Sequence, residues 1–209
     1  MQRVMVLAPH PDDETLGCGG TILKHVRAGD EVHWLILTPS EEVVPSVAKR
    51  YGVASLQSLN LPAARLDALP MSDLVGAIGE VFRAIGPNRV YVPYPGDAHT
   101  DHRYAFEAAM ACTKWFRYPT VSTVLSYEVL SETEFGISPL APAFSPNYFV
   151  DISEFIEEKI DILGLYASEL GDFPFPRSLD AVRAQAALRG AIIGAKAAEA
   201  FMVLKEVWK

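Results

Sequence analysis

Runs of apolar residues alternate with amphipathic segments along most of the chain. The run at residues 3–8 is apolar on both faces, as expected for a central strand of a parallel sheet. Similar runs at 31–38 and 88–94 predict further buried strands, and residues 13–28 and 72–86 carry helical periodicity between them. This alternation of strands and helices predicts an α/β fold with a mainly parallel sheet.

Less regular segments complete the pattern towards the C-terminus. The predicted elements are a short helix around Pro45, a weak strand at 54–60, a helix at 101–117, strands at 120–130 and 147–152, and an amphipathic helix at 153–170. The tail from Ser178 to about Val207 is rich in alanine, so we expect it to be helical. Neither a repeat nor a linker interrupts the chain, which indicates one domain over residues 1–209.

The composition excludes several classes of function. The formal net charge of −8 argues against nucleic acid binding, because phosphate contacts require clustered Lys and Arg. Cys18 and Cys112 are too few for a disulfide framework, which favours a reducing compartment. No basic leader segment is recognisable, and no apolar run is long enough to span a bilayer. We therefore expect a cytoplasmic protein without a membrane span. The sequence leaves open whether the protein forms a homo-oligomer.

Two turns rich in histidine and aspartate follow two of the predicted strands. HPDDE (residues 10–14) lies at the carboxyl end of the first strand, and YPGDAHTDH (94–102) lies at the carboxyl end of the fourth. The carboxyl ends of parallel strands form one edge of the sheet, where α/β proteins bind their ligands. We therefore expect the two turns to build one site.

Helix capping alone accounts for only part of HPDDE. Pro11 and one or two acidic residues suit the start of a helix, where the peptide dipoles favour negative charge. Capping leaves His10 unexplained, and three adjacent carboxylates repel one another unless a cation is present. A bound cation explains the composition of this turn better than capping does.

The residue types in the two turns suit a catalytic metal ion. His10 and Asp13 lie three residues apart across a turn, so both side chains can face one ion. The second turn offers His99 and His102, and one of these would complete a set of two histidines and one carboxylate. Three protein ligands with a free position for water are typical of catalytic zinc, and the same set suits Fe²⁺ or another divalent metal.

The residues that are not needed as ligands suit a hydrolase. Asp12 can take a proton from water and pass it to the leaving group. The remaining histidine of the second turn, if protonated, can stabilise an oxyanion. Asp101 can orient one of the histidines as a hydrogen-bond acceptor. The two turns together predict a metal-dependent hydrolase.

These motifs resemble those of a known family. HPDDETLGCGG (10–20) with the later HTDHR (99–103) is similar to the zinc-dependent de-N-acetylases that include the N-acetylglucosaminyl-phosphatidylinositol deacetylases and the bacterial LmbE-like proteins. RGAIIGAKAAEAF (189–201) resembles the closing helix of that family. The resemblance implies a Rossmann-like three-layer sandwich that removes an N-acetyl group from an amino sugar or sugar conjugate, a nucleotide sugar being one option.

The resemblance also implies roles for individual residues. Carried over by position, His10, Asp13 and His102 would bind zinc. Asp12 would be the general base, and His99 would face the oxyanion. Together with Asp101, these five residues are the predicted catalytic machinery.

Two features bear on the substrate. Many members of the family carry a tyrosine two residues before the first histidine of the second motif, where Asp97 stands in this sequence. DFPFPRS (172–178) is either a stiff wall over the site or a plain connector. Arg177, Arg183 and Arg189 would meet a phosphate if the substrate is a nucleotide sugar, and otherwise they form a solvated face.

Three other functions compete with deacetylation. The same metal chemistry would also hydrolyse another small amide. A nucleotide-dependent oxidoreductase is disfavoured, because Ile22 occupies the third glycine position of a G-x-G-x-x-G pattern counted from Gly17. A non-catalytic metal-binding protein would have no use for Asp12 and His99 in addition to three ligands.

Overall fold

A seven-stranded mixed sheet runs through the computed structural model, which describes residues 1–39, 42–136 and 143–208. The strands are β1 (Arg3–Ala8), β2 (Glu31–Ile36), β3 (Ser55–Ser58), β4 (Arg89–Pro93), β5 (Thr123–Tyr127), β6 (Tyr148–Asp151) and β7 (Ala198–Glu206). The helices are α1 (Asp13–Arg27), α2 (Val44–Tyr51), α3 (Met71–Ile85), α4 (Thr100–Ala111), α5 (Ile156–Leu163) and α6 (Leu179–Ile193). Short 3₁₀ turns lie at Leu66–Ala68 and Ala167–Glu169.

The strand order is β3-β2-β1-β4-β5-β7-β6. The first five strands of this order run parallel, and β7 pairs antiparallel with both β5 and β6. The prediction of an α/β fold with a mainly parallel sheet is confirmed. The chain winds outwards from β1 through β2 to β3, and it then returns to place β4 on the other side of β1. The strand order therefore reverses between β1 and β4.

Helices cover both faces of the sheet. Side chains alternate along β1, so Val4 and Val6 pack with α1, α2, α5 and α6. Met5 and Leu7 pack with α3 and α4 on the opposite face. All four side chains are buried, and each contributes roughly 1.5–3 kcal/mol through removal of apolar surface from water. The arrangement is helix layer, sheet, helix layer.

Glycines in the first turns of α1 let that helix approach its neighbours closely. A Cβ atom at Gly17 would overlap with the ring of Tyr127, and one at Gly20 would lie 2.7 Å from the Ile152 side chain. The GCGG segment therefore allows close packing of α1 against its neighbours. It brings the N-terminus of α1, which carries the HPDDE turn, close to the centre of the sheet.

The prediction that the tail is helical to about Val207 is wrong beyond Ile193. Gly194 adopts a left-handed conformation at φ 74° and ends α6. Residues 198–206 then form β7, which pairs with β5 on one side and β6 on the other and whose first four side chains are buried. Helix propensity is a weak preference, and strand pairing with burial overrides it here. The resemblance of residues 189–201 to a closing helix holds only as far as Ile193.

Two other helices are shorter than predicted. The helix expected at 101–117 ends at Ala111, and the Thr113 hydroxyl donates a hydrogen bond to the Met110 carbonyl at its end. The helix expected at 153–170 is α5, which ends at Leu163 before a 3₁₀ turn. The fifth and sixth strands form where the sequence predicts them, with narrower bounds.

Candidate metal centre

The two histidine-rich turns meet where the strand order reverses. The HPDDE turn follows β1, and the turn at 94–99 follows β4, which pairs directly with β1. In open parallel sheets this reversal opens a crevice at the carboxyl ends of the strands. The fold thus brings together two turns that lie far apart in the sequence.

Three side chains converge within this crevice. The Oδ2 atom of Asp13 lies 3.4 Å from His10 Nδ1 and 3.3 Å from His102 Nε2. One donor atom from each of the three residues lies within 4.8 Å of the other two. His102 Nε2 is buried and has no hydrogen-bond partner among the described residues. A cation among the three donors would satisfy this nitrogen, so the residues fit a divalent metal ion.

Each of these histidines is held by a second carboxylate. Asp97 Oδ2 lies 2.8 Å from His102 Nδ1, and Asp101 Oδ2 lies 2.9 Å from His10 Nε2. Asp101 also accepts the backbone N–H groups of Ala64 and Leu66, which fixes its position. In each histidine the nitrogen opposite the carboxylate faces Asp13, an arrangement that metal-binding histidines usually show.

The electrostatics of the three side chains point to the same site. Burial lowers the pKa of His10, but the hydrogen bonds to Asp101 and Asp13 outweigh it and raise the pKa to about 9. Burial opposes ionisation of Asp13, yet His102 and His10 hold the pKa of this carboxyl below its ordinary value. Protons on the histidines thus supply the positive charge that the Asp13 carboxylate requires. A metal ion would displace them on binding.

A second grouping of possible ligands shares one residue with the first. Donor atoms of His10, His99 and Asp101 also lie within 4.8 Å of one another. The Nδ1 atom of His99 already accepts the backbone N–H of Asp101 at 3.0 Å, because His99 caps the start of α4. Only the set with His102 contains, among the described residues, a buried nitrogen without a hydrogen bond, so this set fits a metal ion better.

Asp12 lies beside the donor set and lines the same cavity. Only 6% of its surface is exposed. Burial, followed by the charges of Asp13 and Glu14, raises the pKa of Asp12 well above its ordinary value. The adjacent carboxyls of Asp12 and Asp13 therefore have opposite shifts, which is the pattern expected when neighbouring acids have different chemical roles.

His99 lines the cavity from the other turn. Burial and the neighbouring His10 lower its pKa, which favours a neutral ring. Because Nδ1 accepts a hydrogen bond, the proton of the neutral ring resides on Nε2. His99 can therefore donate a hydrogen bond to an oxygen atom in the cavity.

The cavity has a volume of about 450 Å³, and its lining includes four residues from the segments after β5 and α5. We call these four residues the opposite wall, and they are Ser131, Glu132, Glu169 and Arg177. The first three of these residues are not among the predicted site residues. Arg177 is one of the three arginines predicted as possible phosphate contacts, and the other two pair elsewhere: Arg183 with Glu157 at the surface and Arg189 with Glu128.

Arg177 is anchored on three sides of its guanidinium. Its Nε donates to the backbone oxygen of Glu169 at 2.9 Å, and its Nη1 donates to Ser131 Oγ at 2.9 Å. Its Nη2 lies 3.4 Å from Glu169 Oε2. The segment DFPFPRS therefore contributes to the pocket through Arg177, whose charge is already paired with a carboxylate.

The segment at 131–136 is tied to the turn that follows β4. Thr133 Oγ1 donates to Asp97 Oδ1 at 2.6 Å, and the His99 N–H donates to Glu132 Oε2 at 3.1 Å. Gly136 lies against the backbone of Gly96 so closely that a Cβ atom would overlap the Gly96 carbonyl oxygen. Asp97 thus holds both His102 and this segment.

The family model described as PIG-L, GlcNAc-PI de-N-acetylase, matches residues 5–50 and 40–113 of the chain. These segments contain both histidine-rich turns. The chain belongs to the PIG-L family. The predicted resemblance is confirmed. The opposite wall, at 131–177, lies outside the matched residues.

Curated relatives of this PIG-L protein are deacetylases. Diacetylchitobiose deacetylase of Thermococcus kodakarensis is 25% identical over 190 residues, covering 81% of this chain and 70% of the relative. The 1D-myo-inositol 2-acetamido-2-deoxy-α-D-glucopyranoside deacetylase of Mycobacteroides abscessus is 25% identical over 204 residues, covering 76% of this chain and 73% of the relative. The family and these relatives identify the protein as a deacetylase, and deacetylases of this family depend on a metal.

The fold of this PIG-L protein also matches a solved structure. The conserved protein TT1542 from Thermus thermophilus superposes with a TM-score of 0.81 at 25% identity, covering 100% of this chain and 97% of the other. Within the residues that the structure describes, no helix combines the length and the apolar character needed to cross a membrane.

Proposed function

We propose that the protein removes the N-acetyl group from a neutral amino sugar or sugar conjugate by metal-assisted hydrolysis. The observation that carries this proposal is the convergence of His10, Asp13 and the buried Nε2 of His102, which makes no hydrogen bond among the described residues. Asp12 and His99 lie beside them in a cavity of about 450 Å³, a volume that suits a sugar.

His10, Asp13 and His102 would hold the metal. Two imidazoles and one carboxylate suit Zn²⁺, and Fe²⁺ or another divalent ion is compatible with the same donors. When bound, the metal supplies a Lewis acid that lowers the pKa of water and polarises an acyl carbonyl. Asp101 and Asp97 would keep the two imidazoles oriented towards it.

Asp12 would act as the general base and then as the general acid. Its carboxylate takes a proton from water as the oxygen bonds to the acyl carbon. It then gives that proton to the amide nitrogen, so that the C–N bond breaks and acetate and a free amine leave. A raised pKa suits both steps, because the group must accept and release the same proton near neutral pH.

His99 would stabilise the negative charge that develops on the acyl oxygen. A hydrogen bond from Nε2 fits the capping arrangement that commits Nδ1 to the Asp101 N–H. Such donors act strongly in a buried site, because they are already oriented before the charge develops.

Charges on the opposite wall favour a neutral substrate over a nucleotide sugar. Glu132 and Glu169 both line the cavity, and the guanidinium of Arg177 is paired with Glu169. Carboxylates accept hydrogen bonds from sugar hydroxyls and repel phosphate groups. The names of the two curated relatives given above also describe uncharged acetylated sugars.

The architecture supports a Rossmann-like description of the whole chain as one domain. The order β3-β2-β1-β4-β5 is that of a doubly wound sheet, with helices on both faces. The antiparallel β7 and β6 extend it at one edge.

Acetate release from a small panel of substrates tests the proposal. Zinc-loaded protein should cleave N-acetylglucosamine or N,N′-diacetylchitobiose faster than UDP-N-acetylglucosamine, and His102→Ala should cleave none of them. Release of acetate from an N-acetyl amino acid and from none of the sugars would assign another small amide as the substrate. A metal-loaded protein that hydrolyses no amide at all would overturn the proposal.

A further inference from the structure

The third acid of the HPDDE turn has no role in the chemistry described so far. Glu14 is fully buried. It belongs neither to the metal-ligand set nor to the residues that line the cavity. A buried carboxylate is costly unless it is hydrogen-bonded, so its contacts indicate why it is there.

Glu14 accepts hydrogen bonds from three groups. The backbone N–H of Asp12 donates to Oε2 at 3.1 Å. The hydroxyls of Tyr166 and Thr15 each donate to Oε1 at 2.8 Å. One of the three donors is thus the backbone of the proposed general base.

The backbone of Asp12 needs such support. Its φ angle is 100°, which residues other than glycine rarely adopt. A residue in this region persists there only when its surroundings hold it. The Asp12 carbonyl accepts the N–H groups of Thr15 and Leu16 at 2.9 and 2.8 Å, and Glu14 holds the N–H on the other side. Both polar groups of the Asp12 backbone are therefore fixed.

Tyr166 connects this clamp to the opposite wall. Its side chain is fully buried, and its backbone oxygen accepts the N–H of Glu169 at 2.9 Å. Glu169 in turn accepts a hydrogen bond from Arg177. The residue that fixes Glu14 thus directly precedes the 3₁₀ turn that supplies Glu169 to the wall.

We infer that Glu14 is a positioning residue, which clamps Asp12 in its left-handed conformation and is itself held by Tyr166. This inference rests on the proposed role of Asp12 as the general base. It assigns a separate task to each acid of the turn: Asp13 for the metal, Asp12 for the proton and Glu14 for the geometry of Asp12.

Crystal structures of zinc-loaded variants test the clamp without an activity measurement. In Glu14→Ala the Asp12 carboxylate should move by about 1 Å or more, a displacement large enough to matter for catalysis. His10, Asp13 and His102 should keep their positions. An Asp12 whose φ angle and carboxylate are unchanged in Glu14→Ala would overturn the inference. If that variant does not fold, Tyr166→Phe serves for the same comparison.

Kinetics with N,N′-diacetylchitobiose give an independent test. Glu14→Ala should lower kcat by about 10- to 100-fold, with KM and zinc content near those of the wild type. Glu14→Gln keeps one acceptor oxygen and should recover part of the loss. A purely structural role would lower the melting temperature and leave kcat per folded, zinc-loaded molecule unchanged.

A double-mutant cycle separates this inference from the proposed function. In an Asp12→Asn background, Glu14→Ala should lower kcat by less than about a further twofold. The group that Glu14 positions is already disabled in that background. An equal loss of kcat in both backgrounds would overturn the inference that Glu14 positions Asp12, while leaving the deacetylase proposal intact. A fully active Asp12→Asn would instead overturn the proposed role of Asp12.

Tyr127→Phe is the matched control for Tyr166→Phe. Tyr127 is also fully buried, and its hydroxyl also donates at 2.8 Å, to the Leu7 carbonyl. Both variants lose one buried hydrogen bond, so both should lose stability. Only Tyr166→Phe should lower kcat, and equal kcat values in the two variants would count against the link between Tyr166 and Asp12.

Discussion

The metal side of the pocket and its opposite wall differ in how the chain builds them. The metal side comes from two short turns after adjacent parallel strands, within the residues that match the PIG-L family. The opposite wall comes from segments after β5 and α5, outside the matched residues. Under the proposed function, the strand ends would supply the reaction, and the connections, which can change without disturbing the sheet, would supply the substrate preference.

The comparison implies two kinds of mutational effect. Changes on the metal side should abolish metal binding or turnover for every substrate. Changes on the opposite wall should alter KM and the choice of substrate while leaving the metal in place.

The largest effect is expected from loss of a ligand. His102→Ala should lose the metal and reduce turnover by more than the roughly 10⁴-fold that loss of a general base can cost. Metal content by elemental analysis and acetate release should be measured on the same preparation. His33→Ala is the control, because His33 contacts Ser55 away from the pocket and should keep both properties. A His102→Ala protein with full metal content would contradict the assignment of His102 as a metal ligand.

Asp12→Asn should have the next largest effect. The amide keeps the size of the side chain but cannot accept a proton, so kcat should fall by about 10²- to 10⁴-fold. Metal content should stay near that of the wild type, whereas Asp13→Ala should lose metal. Equal metal loss in both variants would show that the two adjacent acids do not divide their tasks as proposed.

Asp97→Ala should have an intermediate effect on metal affinity. It removes the carboxylate that lies 2.8 Å from His102 Nδ1, and such partners typically contribute roughly 10- to 100-fold in affinity or activity. Competition with a chromogenic chelator measures the change. Thr133→Val removes the other hydrogen bond to Asp97 and should have a smaller effect. An unchanged zinc affinity in Asp97→Ala would contradict the orienting role.

The smallest effect is expected on the opposite wall. Arg177→Met loses hydrogen bonds to Ser131 and Glu169, so KM for N,N′-diacetylchitobiose should rise about 2- to 10-fold with little change in metal content. Arg183→Met is the control, because Arg183 lies at the surface and pairs with Glu157. A fall in kcat with unchanged KM in Arg177→Met would show that this residue affects turnover, as the metal-side residues are expected to do, and not substrate binding.

The metal side could be predicted from the sequence because its information is local. His10 and Asp13 lie within one turn, and a parallel sheet necessarily places the carboxyl ends of neighbouring strands at one edge. The sequence could not show that β1 and β4 are neighbours. That contact follows from the reversal of strand order, which no short motif encodes.

The opposite wall and the final strand could not be predicted for a related reason. Ser131, Glu132 and Glu169 carry no pattern of their own, and they reach the cavity only through contacts with distant segments. Residues 198–206 have the alanine content of a helix at their start, yet they become β7 because β5 and β6 offer pairing partners on both sides. In both cases the deciding information lies in long-range contacts.

The contact between Gly136 and Gly96 has a consequence for motion. Two backbones that touch without an intervening side chain cannot slide apart gradually, since any separation leaves a void and breaks the neighbouring hydrogen bonds of Ala98 and His99 to Glu132. The part of the opposite wall that contains Glu132 should therefore move together with the turn at 94–99 as one body.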